Sequence, residues 1–187
     1  MDIGVSLLSL LEKQGCEPQS CSSGIAHCKT DYYCVIHPQN FMSYTQKAKD
    51  LGISFESQEP GYLNMCIQSG NQLITSGHVS DKKGILGQNV SVEEGYEAAK
   101  DCAIKILKSV YNTHGTLDDL KVVKLFGCVY SDQGFTDQHL VINGASDLMH
   151  EIFGKEGDGY HARSAMGFAA LPTGVAVEIE AIFEIKS

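Results

Sequence analysis

The sequence predicts an α+β domain: a mixed, mainly antiparallel sheet with two helices packed on one face. Three observations predict it. From about residue 62 to 185 the apolar patterning runs strand, strand, helix, strand, helix, strand, strand. The first two strands flank Ser69-Gly70-Asn71, a hairpin signal in which glycine and asparagine tolerate positive φ. No Gly-x-Gly-x-x-Gly or phosphate-loop signature occurs, so a nucleotide-binding sheet has no support.

The first 45 residues read as an N-terminal extension, and 46–187 as the domain. Val5, Leu7, Leu8, Leu10 and Leu11 suggest a short helix ended by Gly15, followed by a polar loop from Pro18 to Gly24. Cys16, Cys21, Cys28 and Cys34, with His27 and His37, could be zinc ligands. Their spacings match no common zinc module, and free thiols in a loosely packed extension are the simpler reading. No metal site is assigned. A second short helix spans Tyr44 to Leu51, stopped by Gly52.

Leu63 to Gln68 and Gln72 to Gly77 form the first two strands. Ser91-Val92-Glu93-Glu94 is a capping box, and Tyr96, Ala99, Ala103, Ile106, Leu107 and Val110 keep helical spacing up to Gly115. Val122 to Val129 is an apolar, β-branched run expected to be a buried strand. Thr136 is expected to cap the next helix. Its inner face carries Leu140, Val141, Ala145, Leu148, Met149, Ile152 and Phe153, with Gly154 beyond the end. Tyr160 to Ala169 and Val175 to Ile185 are strands joined by Leu171-Pro172-Thr173-Gly174, a sequence suited to a type I turn.

Composition bounds the function. The chain has 187 residues and is 43% hydrophobic and 20% charged, as a soluble globular protein is. A net charge of −9 argues against a nucleic-acid partner, since phosphate backbones are held mainly by Lys and Arg. No apolar run approaches the ~20 residues that span a bilayer, so no membrane association is expected. Met1-Asp2-Ile3-Gly4 starts acidic, and no arginine precedes Arg163, so no transit peptide is expected. Seven cysteines are too few for a disulfide scaffold, and the expected location is cytoplasmic, with reduced thiols.

The candidate site lies in the last two strands. If they form a hairpin in which Leu171 faces Gly174, Arg163 shares a face with Glu178, Glu180 and Glu184. Ala162, Ser164, Met166 and Phe168 would then share the helix-covered face with Val177, Ile179, Ala181 and Phe183. Such a row of charges is also what a solvated face looks like. Two features favour a site. Arg163 is the single arginine beside thirteen lysines, and only a planar guanidinium binds a carboxylate bidentately. Ala162, Ala165, Met166 and Gly167 keep its surroundings small and apolar, which strengthens electrostatics.

Several segments occur together, in order. His161-Ala162-Arg163-Ser164, Leu171-Pro172 and Val177-Glu178-Ile179-Glu180-Ala181 resemble the closing signature of the RidA/YjgF-like reactive-intermediate deaminase family, also labelled the endoribonuclease L-PSP family. Leu73-Ile74-Thr75-Ser76-Gly77 is similar to that family's early strand, Gly70-Asn71 to its first turn, and Val141-Ile142-Asn143 to its helical asparagine. The resemblance covers about Tyr62 to Ile185. Phe135 to Leu148 is closer to a less-studied branch.

The resemblance implies a chorismate-mutase-like fold and a homotrimer with sites between subunits. It implies hydrolysis of 2-imino or enamino acids to 2-oxo acids and ammonia. Arg163 would hold the substrate carboxylate and Glu178 would position or activate water. Ser76 and Asn143 would line the cleft and Tyr62 would close it. No cofactor is implied, because an imine is already an activated electrophile. Two positions depart from the archetype: Ala165 stands where it has a cysteine, and one extra residue separates Tyr62 from Gly70. A carboxylate-binding or sensing protein on the same scaffold is the alternative, and an endoribonuclease a third.

Overall fold

The computed structural model describes residues 42–57, 59 and 61–186. The expected helix at Val5 to Leu11 and the cysteine–histidine group between Cys16 and His37 lie outside them. Residues Ser43–Ser187 form one compact unit. Its elements are α1 (Tyr44–Asp50), β1 (Cys66–Ser69), β2 (Gln72–Thr75), β3 (His78–Val79), α2 (Val92–His114), β4 (Leu120–Tyr130), α3 (Gln138–Phe153), β5 (Ala162–Phe168) and β6 (Val177–Ile185).

The sheet order is β1-β2-β6-β4-β5, with β3 also paired to β6. All pairings are antiparallel except β4 with β5. The α+β class and the mixed, mainly antiparallel sheet are as the sequence predicts. Helix α2 starts and stops on recognisable chemistry. Ser91 and Glu94 satisfy each other's backbone N–H groups at the start of α2, and Gly115 ends it in the left-handed region. For α3 the N-cap is Asp137, not Thr136, and it makes no side-chain cap bond.

The core lies between the sheet and the helices. Val177, Ile179, Ala181 and Phe183 of β6 and Leu125 and Val129 of β4 are buried against Ala99, Ala103 and Ile106 of α2 and Val141, Ile142 and Ala145 of α3. The two helices cross closely at Gly144, where a Cβ would run into the Tyr96 carbonyl. Leu140, expected inside, is 40% exposed on the first turn of α3. The amphipathic helix α1 seats Ala48 in the core, and the Tyr44 hydroxyl donates to Asp158 at 2.8 Å.

The last two strands are not a hairpin. The helix α3 carries the chain back to the start of β4, so β5 lies parallel beside it, as a strand–helix–strand crossover requires. Strand β6 takes the other edge of β4, and β4 therefore separates β5 from β6. The connecting turn also departs from type I. Thr173 has φ 55°, whereas type I needs about −90° there.

This topology reverses the expected faces of β5. Arg163 pairs with buried Leu125, and Ala165 with Gly127, whose Cβ would meet Ile142 of α3. Arg163 and Ala165 thus face the helices. Met166 and Phe168 lie on the helix-free face, 51% and 38% exposed. Glu178 pairs with Cys128 on that same helix-free face, so Arg163 and Glu178 stand on opposite sides of one sheet.

Candidate functional site

Arg163 enters β5 on the edge of the sheet, half-buried, with its guanidinium turned toward α3. Its Nη1 donates to Asn143 Oδ1 at 2.8 Å and to Ser146 Oγ at 3.1 Å. Asn143 and Ser146 are one helical turn apart and so present their polar atoms to the same edge strand. No carboxylate among the described residues lies within 4.0 Å of the guanidinium. Burial lowers the pKa of Arg163, and the negative charge of Asp147 opposes that shift. Asp147 is instead engaged by the Tyr96 hydroxyl at 3.0 Å.

Behind this pair, Ser146 Oγ lies 3.0 Å from His161 Nε2, and His161 Nδ1 lies 2.6 Å from the Gly159 carbonyl. The ring of His150 is 5.2 Å from that of His161. The composition of α3 held a signal for this arrangement. Asn143, Ser146 and His150 recur at i, i+3 and i+7 and form a polar stripe along one side of the helix.

Glu178 is placed by close packing against the β2–β3 bend. A Cβ at Gly77 would overlap the Glu178 carboxylate, so the glycine admits the acid. Burial, with Glu178 and Glu180 next, pushes the Cys128 thiol up to about 11, which keeps it protonated. Ser76, beside Gly77, donates its hydroxyl to the Asn64 carbonyl at 2.7 Å. Tyr62 is fully exposed on the loop before β1.

Of the five residues expected at the site, Arg163 and Asn143 are in direct contact. Glu178 lies beside Ser76–Gly77, on the far side of the sheet from Arg163, and Tyr62 stands apart. Chemically, the first pair offers a cation with unused donors, and the second group a carboxylate able to take a proton.

The family model for endoribonuclease L-PSP matches residues 56–185. Protein TCP17 of Trypanosoma cruzi is 43% identical over 126 residues, which span 64% of this chain and 78% of TCP17. The crystal structure of a protein of unknown function from Agrobacterium tumefaciens is 38% identical, with a TM-score of 0.68 over 77% of this chain and 92% of that one. A structure from Shewanella oneidensis, 24% identical, shares the fold with a TM-score of 0.70 over 76% of this chain and 99% of that one. The chain belongs to the endoribonuclease L-PSP family, named above as RidA/YjgF-like.

Proposed function

We propose that this protein hydrolyses 2-imino acids, or their enamine tautomers, to 2-oxo acids and ammonia. The observation that carries the reading is the state of Arg163. It is a half-buried cation, held through Nη1 alone by two neutral oxygens, with no carboxylate within 4.0 Å among the described residues. A buried charge is normally paired, and an anionic ligand supplies what the protein withholds.

In this reading the substrate carboxylate docks on the free edge of the guanidinium, which fixes the imine carbon in place. Water adds to that carbon while Glu178 accepts its proton. Glu178 returns that proton to the nitrogen, and the carbinolamine collapses to the 2-oxo acid as its hydroxyl proton passes to the nitrogen and ammonia leaves. Asn143 holds the clamp, and Ser76 and Tyr62 line the cleft.

One chain does not bring Glu178 to Arg163, because the sheet lies between them. The reading therefore places Glu178 of one copy against the β5 edge of another, in a homotrimer with sites between subunits. The helix-free face supports such an assembly: Ile67, Met166 and Phe168 are exposed there, and a monomer would leave them in water.

The separation of Arg163 from Glu178 is also the observation that favours a second reading, a carboxylate-binding or sensing protein without turnover. RNA cleavage fits less well, since a chain of net charge −9 offers phosphates little. A coupled assay decides. An amino-acid deaminase or oxidase generates 2-iminobutanoate, and its disappearance is followed with and without this protein. Accelerated decay supports hydrolysis; unchanged decay with retained 2-oxobutanoate binding supports the sensor.

A further inference from the structure

His161 is placed to decide how the guanidinium is held. Its Nδ1 sits 2.6 Å from the Gly159 carbonyl. A carbonyl only accepts, so Nδ1 carries the proton and Nε2 of the neutral ring is an acceptor. Ser146 Oγ, 3.0 Å from Nε2, must then donate its hydroxyl hydrogen to the ring. That leaves the Ser146 oxygen lone pairs to accept from Arg163 Nη1 at 3.1 Å. The second Nη1 hydrogen goes to Asn143 Oδ1. Both hydrogens of Nη1 are thereby committed, while Nε and Nη2 have no acceptor among the described residues. Ser146, the middle member of this chain, is buried, which limits the water able to replace it.

We propose that His161, acting through Ser146, is a positioning residue that holds Arg163 to receive a carboxylate on its Nε–Nη2 edge. The inference rests on the carboxylate-clamp reading above and deepens it. Burial, with the nearby charges of His150 and Arg163, lowers the His161 pKa against the opposing Gly159 bond, which favours the neutral ring the chain needs. A merely structural histidine would need only its brace to Gly159. The positioning role needs Nε2.

Two substitutions separate these roles. In His161→Asn the side-chain amide can reproduce the Nδ1 bond to Gly159 but not reach Ser146. In His161→Gln the amide oxygen reaches the Nε2 position. The experiment uses the full chain with two readouts: calorimetric binding of 2-oxobutanoate, and ¹⁵N relaxation of the arginine Nε–H. The second needs no ligand, and its signal is unambiguous because Arg163 is the single arginine. The expected result is on the order of tenfold weaker binding and a more mobile guanidinium in His161→Asn and in Ser146→Ala, with His161→Gln close to wild type. Wild-type binding and wild-type Nε relaxation in either His161→Asn or Ser146→Ala would overturn the inference. Absence of 2-oxobutanoate binding by the wild-type protein would instead count against the clamp reading, and the relaxation data would still decide the positioning role.

Discussion

At the scale of single residues, the chemistry depends on groups held in one protonation state. His78 is buried and His161 half-buried, and burial is the first cause lowering each imidazole pKa from 6.5. Lys105 acts in the same direction on His78, and His150 and Arg163 on His161. The unfolded chain therefore takes up protons that the folded chain refuses. Stability is unaffected by these groups above about pH 6.5 and falls as the pH drops below it. Thermal melts from pH 7.5 to 5 should show this loss, and His78→Gln should flatten it; an equal slope in that variant would contradict the assignment. Glu178→Gln should lower turnover while leaving 2-oxobutanoate affinity within about twofold, because the clamp is untouched. The arginine and the helical asparagine were legible as residues. Their contact was not, because it depends on which face of β5 turns toward α3, and that follows from strand order and not from alternation alone.

At the scale of elements, the helices were read well because their signals are local. The Ser91–Glu94 capping box forms as its spacing requires, with the Glu94 N–H donating to Ser91 Oγ at 3.2 Å. Ser91→Ala should cost about 1 kcal/mol in denaturant melts, and no change would mean the cap is redundant. The α2–α3 crossing is less forgiving. Gly144→Ala should cost about 1–3 kcal/mol, because the new methyl meets the Tyr96 backbone and not a movable side chain. The strands were harder. Alternation correctly placed Val177, Ile179, Ala181 and Phe183 inside, but it carries no record of which strand lies next to which. A turn sequence between two strands suggested a hairpin, whereas the crossover through α3 puts β4 between them.

At the scale of the whole molecule, the proposed hydrolysis requires assembly. Light scattering should give a mass about three times the 20.3 kDa chain. A monomer would leave Arg163 without Glu178 and remove the hydrolytic reading. A chain beginning at Met42 should melt like the full protein, because it keeps Ser43, whose hydroxyl caps α1 at 3.0 Å. Beginning at Gly52 removes Ala48 and the Tyr44–Phe153 contact and should cost roughly 3 kcal/mol or more. The central claim is that Arg163 is a carboxylate clamp, and Arg163→Lys tests it most directly. An ammonium cannot reproduce two parallel guanidinium bonds, so imine hydrolysis and 2-oxobutanoate binding should fall nearly as far as in Arg163→Ala, by about 2–5 kcal/mol. Full binding and full hydrolysis in Arg163→Lys would contradict the clamp and the mechanism built on it.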